Sequence, residues 1–180
     1  MAARTVGPVR RSRPAKRDII LAAARLHFIN KGYIATSVSD LAQELRCSKS
    51  TIWGSFPTKA DLLNAVIHDL AIEWSTAFEV AYTAALKAED DLVAYCDEIS
   101  RFLDTPDARK ALPFLIGMST RSGNPVSPFQ TIAIGTITRH LATLKADPDQ
   151  LVRLLSGPCL HSLLAPACDP ACSVEEIQIS

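Results

Sequence analysis

Between Gly32 and Lys59 the chain is punctuated so closely that only very short helices fit. Gly32 supplies a stop. Ser37 can cap a new helix, with Asp40 three residues on placed to reach back in a capping box. Ser48 offers another cap after a short turn. The helix it opens must stop near Ser55, because the residue before Pro57 is pushed away from helical geometry. Thr58 with Asp61 repeats the capping box and opens a long helix. A helix of about seven residues is unstable alone, so packing has to hold the Ser48–Ser55 segment in place.

The flanks supply that packing. Ile20, Ala23, Ala24, His27 and Phe28 recur at the spacing of one helix face that begins at Arg17, with His27 read as a satisfied histidine at the core edge. Val38, Leu41, Ala42 and Leu45 make a second stripe, and Ile52 and Phe56 form an inward face against it. Two short helices joined by a tight turn after a longer one make a helix-turn-helix arrangement. Lys49, Ser50, Trp53 and Gly54 are left facing outward. Such a surface suits the major groove of DNA, with hydroxyls and amides near phosphates. Gly54 costs about 1 kcal/mol relative to alanine in a helix, which makes sense if the backbone approaches another molecule closely. Trp53 has an indole N–H suited to a phosphate oxygen. Its alternative reading is a partly buried core aromatic.

The balanced net charge hides an asymmetry. Up to Lys59 there are 11 Lys/Arg and 3 Asp/Glu, a net of +8; from Ala60 onward there are 8 and 16, a net of −8. A basic front suits a polyanion and an acidic rear does not. Residues 1–16 read as a flexible arm whose Arg4, Arg10, Arg11, Arg13 and Lys16 either remain solvated or follow the DNA backbone and minor groove. Being Arg-rich and acid-free, the arm also weakly resembles a transit peptide. Further helices are predicted over 59–88, 90–103, 106–121, 127–145 and 148–165, with no sustained strand alternation. The fold class is all-α: a helix-turn-helix DNA-binding domain over 17–63 and a helical domain over 64–180. No apolar run reaches the roughly 18–20 residues that span a bilayer, so a cytoplasmic protein without membrane contact is expected.

The run "IILAAARLHFINKGYIATSVSDLAQELRCSKSTIWGSFPTKADLL" resembles the DNA-binding region of the tetracycline-repressor (TetR) family of bacterial transcriptional regulators. Ala23-Ala24, Phe28, Lys31-Gly32-Tyr33, Thr36-Ser37-Val38, Leu41-Ala42, Ser48-Lys49 and Thr51 agree in order, and Phe56-Pro57-Thr58-Lys59 followed by Asp61-Leu62-Leu63 is the strongest part. The resemblance implies that Ser37, Ser48, Lys49, Ser50, Thr51, Trp53 and Lys59 touch an operator in double-stranded DNA. Trp53 stands where the family usually has tyrosine. Arg46 stands where it prefers glycine, a position at which left-handed backbone costs about 1 kcal/mol, though arginine there also reaches towards the DNA backbone. Gly54 replaces a larger residue, which removes a possible base contact.

For the rear, the resemblance implies a small-molecule effector and a homodimer. The residues themselves show apolar helices with scattered aromatics, Tyr95 and Phe129 among them. Trp74, Phe78, Tyr82, Phe102, Phe114 and Met118 are the candidate pocket residues, against the alternative that they are simply core. The apolar segment 148–165 needs a partner, and the family pattern makes it part of a bundle across a twofold axis. The given sequence ends with "APACDPACSVEEIQIS", which leaves little chain for a final helix, so either that interface is reduced or the sequence belongs to a longer protein. Cys159, His161, Cys168 and Cys172 lack the tighter pairing of zinc sites, and ordinary thiols are the simpler reading. With no phosphate-cradling glycine loop, His-Glu-x-x-His or Gly-x-Ser-x-Gly run, neither an enzyme nor a cofactor nor a metal is expected. The expected function is a one-component regulator, a repressor released by its ligand. The competing readings are a helical interaction module with a degenerate head, and a thiol or metal sensor on the same scaffold.

Overall fold

The structure is a computed structural model that describes residues 16–119 and 127–144. The expected arm (Arg4, Arg10, Arg11, Arg13), the 148–165 helix and the group Cys159, His161, Cys168 and Cys172 lie outside the described residues. Among those residues every regular element is helical: α1 (Lys16–Lys31), α2 (Val38–Glu44), α3 (Lys49–Ser55), α4 (Lys59–Ala85), α5 (Asp91–Leu103), α6 (Pro106–Ser119), α7 (Ser127–Phe129), a π turn (Gln130–Ile134) and α8 (Gly135–Thr143). No helix among them is long and apolar enough to cross a membrane.

Local chemistry sets the boundaries. Gly32 ends α1 at φ 82°, and its carbonyl accepts the Thr36 hydroxyl at 2.8 Å. Thr58 and Asp61 form the expected capping box at the start of α4. At α2 the expected box is not made. Ser37 instead accepts from the amide of Ser39 at 3.1 Å, one residue nearer than a box requires, and Asp40 is left exposed. α4 stops at Ala85, short of the expected 88, because Lys87 and Ala88 bond to the carbonyls of Ala84 and Ala85 in tighter three-residue turns. Thr105 caps α6 through the amide of Ala108 at 3.4 Å, and Pro106 fills the first position, where no amide is needed. Pro113 sits inside α6 and takes one amide out of its ladder.

The turn between α2 and α3 follows the Schellman pattern. The amide of Arg46 bonds to the carbonyl of Gln43 at 3.1 Å and that of Cys47 to Ala42 at 2.9 Å, with Arg46 left-handed at φ 49°. The strain foreseen for arginine at this position is therefore present.

The core is continuous from front to rear. Ile52 and Phe56 of α3 are buried together with Ile20, Ala24 and Phe28 of α1 and Leu41 of α2. Along α4, Leu62, Leu63, Val66, Ile67, Leu70, Ala71, Trp74 and Phe78 are all buried. Trp74 meets Phe78, Phe102 and Phe129 edge-on, at ring separations of 6.2, 5.2 and 5.1 Å. One further helix was expected over 127–145. The chain does run helically to Thr143, but the π turn inserts a wider step at Gln130–Ile134, and Thr136 behind it is buried, sharing a hydrogen bond of 2.8 Å with Ser75.

The two buried histidines among the described residues each have a polar partner. The Tyr95 hydroxyl lies 2.7 Å from Nδ1 of buried His140, whose Nε2 lies 3.1 Å from Glu79, while Tyr82 stacks on the imidazole at 4.2 Å. In the front, Nε2 of His27 donates to Glu44 at 2.6 Å and ties α1 to α2. His27 is only half satisfied, contrary to expectation, because its buried Nδ1 has no partner.

Two stability predictions follow from these geometries. Arg46→Gly removes the left-handed strain and should raise unfolding stability by about 1 kcal/mol in denaturant titration. Tyr95→Phe leaves the His140 nitrogen unpaired and should cost about 1–3 kcal/mol at neutral pH. Burial, aided by the charge of Glu79, pushes the Tyr95 phenol well above its ordinary value of 10.0. The unfolded chain therefore releases this proton first. The native protein should lose stability as pH rises past 10.0, a loss from which the phenylalanine variant is free.

Candidate nucleic-acid interface

α3 is a seven-residue helix whose orientation is set by two buried side chains. Ile52 is fully buried and Phe56, its C-cap, is 2% exposed; the Arg17 guanidinium covers the Phe56 ring at 4.6 Å. With that face turned inward, Ser48, Lys49, Ser50, Trp53 and Gly54 are exposed and Thr51 is half-buried. The segregation expected from the sequence is the one observed.

Each exposed group has a definable chemistry. Ser48 caps the helix by accepting the Thr51 amide at 3.2 Å, and its oxygen also lies 2.7 Å from the Ser50 hydroxyl and 2.9 Å from that of Thr51. Ser48 therefore organises a hydroxyl cluster at the helix start. Trp53 remains 37% exposed, so its ring is partly covered and partly presented to solvent. A side chain built on Gly54 would meet nothing within 4 Å, and its backbone is ordinary helix. The fold therefore gives no internal reason for a glycine there.

The flanking candidates divide. Arg46, in the turn that leads into α3, is exposed. Ser37 lies at the α2 cap, half-buried and already bonded. Lys59, at the first position of α4, places its ammonium 4.5 Å over the Tyr33 ring and 3.3 Å from the Ile34 carbonyl. That brings the α1–α2 loop beside the α4 start and exposes Ile34, at 77%, a residue the sequence reading passed over. An isoleucine in a loop, next to a tyrosine that a lysine covers, was the available signal.

Charge pairing sets the turn and α3 apart from the arginines elsewhere. Arg25, Arg101, Arg109 and Arg139 each have a carboxylate partner, whereas neither Arg46 nor Lys49 has one among the described residues. Arg25 of α1 clasps Glu73 of α4 through both its terminal nitrogens and lies 3.4 Å from Asp69. That clasp, like Ile34, was not read from the sequence, since its partners are 44 and 48 residues away.

Among the described residues, the six candidate pocket residues pack in separate groups. Trp74, Phe78 and Phe102 pack on one another, and Tyr82 stacks on His140. Phe114 stacks at 6.5 Å on Phe28 of α1, and Met118 is buried one helical turn further along α6. Phe102 alone of the six lines the α4–α5 groove of about 500 Å³. A second cleft, of about 450 Å³, lies between α1, α4 and α6 and contains none of the six. The described cysteines, Cys47 and Cys96, are free thiols, half-buried and buried respectively.

Residues 20–66 match the family model of bacterial regulatory proteins, tetR family. No curated protein matches the chain. Among solved structures, a proposed TetR-family transcriptional regulator from Mesorhizobium loti MAFF303099 aligns over 84% of this chain and 75% of its own, at 21% identity and a TM-score of 0.63. The multidrug binding protein EbrR, solved as a complex with imidazole, aligns over 92% of this chain and 89% of its own, at 22% identity and a TM-score of 0.60. A third, from Shewanella sp. PV-4, covers 78% of each chain at 17% identity and a TM-score of 0.59. At these identities the likeness is one of fold: a three-helix helix-turn-helix head followed by a helical domain. Residues 20–66 thus resemble the DNA-binding region of tetR-family bacterial regulatory proteins, and the described helices share the fold of the solved regulators.

Proposed function

We propose that this protein is a sequence-specific DNA-binding transcriptional regulator, a repressor that leaves its operator when a small molecule occupies the rear domain. The observation that carries the DNA-binding reading is the outer face of α3. It presents hydroxyls, an ammonium, an exposed indole and a bare glycine backbone, while Ile52 and Phe56 fix the helix from behind. Lys49 and Arg46 supply unneutralised charge for phosphates, and base edges are read from Ser50, Thr51 and the backbone at Gly54. Ser37 and Lys59 flank that contact, and Arg10, Arg11 and Arg13 extend it along the backbone. Two copies of α3, one from each protomer of a homodimer, would enter successive major grooves roughly 34–36 Å apart on a palindromic site.

Release follows from geometry. α4 begins at Lys59 beside the head and continues without interruption into the rear, so a ligand that biases the rear helices also moves the two heads. Coupling of this kind typically amounts to about 1–3 kcal/mol, or 5- to 150-fold in affinity. The domain division that serves this role is 17–63 for DNA and 64–180 for ligand and dimer. EbrR in complex with imidazole shows a protein of similar fold holding a small molecule, which supports an effector here without naming it.

The test is fluorescence anisotropy against DNA from immediately upstream of the protein's own gene, with a scrambled duplex as control and two salt concentrations. The reading predicts preferential, salt-sensitive binding to the upstream DNA. Trp53→Ala should weaken that binding by about 1–3 kcal/mol without loss of helical signal. Unchanged affinity in the variant would remove Trp53 from the interface, and absence of binding to either duplex would favour a helical interaction module.

A further inference from the structure

We propose that the cleft between α1, α4 and α6 is a binding site for a compact organic cation with an apolar body. Its volume, about 450 Å³, falls within the range of roughly 300–1,000 Å³ usual for small-molecule sites. One wall is apolar and comes from α1: Leu21, Ala22, Leu26 and Ile29. Leu26 is 58% exposed there, a large side chain that the fold leaves uncovered.

The charges that line the cleft set the sign of its ligand. Asp18, Asp69 and Asp107 contribute one carboxylate from each of the three helices, against Arg25 and Lys110. The Arg25 charge is already spent on Glu73, which does not line the cleft. Among the described residues, three carboxylates then face the ammonium of Lys110 and the share of the Arg25 charge that reaches Asp69 at 3.4 Å, which leaves the lining acidic. An organic anion would meet this excess unfavourably, and beside a low-dielectric wall the penalty is larger than in water. A hard metal ion is disfavoured for another reason: among the described residues no group of acidic or histidine side chains converges closely enough to hold one. Dispersed negative charge around an apolar wall suits a cation whose charge is spread and whose body is greasy.

The cleft also lies where binding has leverage. α1 is the first helix of the head, α4 and α6 carry the rear, and the Arg25 clasp crosses from α1 to α4 at the cleft. A cation beside Asp69 competes with the longer of the Arg25 contacts, at 3.4 Å, and leaves the contact to Glu73 in place. An effect on DNA affinity rests on the regulator reading above; occupation of the cleft does not.

The experiment is isothermal titration calorimetry of the full chain with benzyltrimethylammonium, with benzenesulfonate as an anion of similar size. The cation should bind saturably with a Kd below about 1 mM, and the sulfonate should not bind. The Asp18→Asn/Asp107→Asn double variant should bind the cation at least tenfold more weakly. Both positions are exposed, and circular dichroism reports whether the variant is folded. Arg101→Ala, in the separate α4–α5 groove, should leave the affinity unchanged. No saturable binding of the cation, equal affinity for the sulfonate, or an unaltered Kd in the double variant would each overturn the proposal. Because calorimetry needs no DNA, a failure of the regulator reading is seen separately, in the anisotropy assay.

Discussion

The burial of one face of α4 ties the two ends of this molecule together. Its buried residues run from Leu62 to Ala85, through Val66, Leu70, Trp74 and Phe78, and the rings of Phe102 and Phe129 close on Trp74. A helix of this length, anchored at so many positions, behaves as a rigid strut. At its front end it supports helices too short to stand alone. At its rear end it carries the stack of Tyr82, Tyr95 and His140. What α3 presents to its surroundings is therefore a consequence of packing that lies well behind it.

Electrostatics follows the same division. In the rear, the described arginines are matched by carboxylates, and Arg25 at the joint is shared between Glu73 and Asp69. In the front, Arg46 and Lys49 stand without such partners among the described residues, while Arg17 and Lys59 lie over aromatic rings. Exposed ion pairs add little stability, so the rear pairing matters mainly because it neutralises those arginines. The exposed Arg46 and Lys49 lie in α3 and the turn before it, which is where the proposed contact with a polyanion would be made.

Much of the front was legible because its signals are local. Gly32, Ser48, Thr58 with Asp61, and Pro57 act within a few residues, and the structure places each of those boundaries as read. The left-handed backbone at Arg46 was suggested only by the family resemblance, in which glycine is preferred there, and not by a signal in its neighbours. Asp40 was misread because whether Ser37 bonds to the second or the third amide depends on the local backbone, which residue spacing does not specify. The rear was less legible. A π turn leaves no mark in a hydrophobic period, and the Arg25 clasp joins residues far apart in sequence. Aromatics at helical spacing do not reveal whether they face a void or one another; here Trp74, Phe78 and Phe102 face one another.

The central claim is that the outer face of α3 meets another molecule at close range, and Gly54 tests it most directly. With nothing within 4 Å of a built side chain and an ordinary helical backbone, Gly54→Ala should stabilise the isolated protein by up to about 1 kcal/mol. Its affinity for the DNA recognised by the wild type, measured by anisotropy on the same preparation, should nevertheless fall by at least tenfold. A more stable protein that binds DNA less well is the predicted result. Undiminished affinity in the stabilised variant would contradict the account, because no molecule would then approach the helix where the glycine stands.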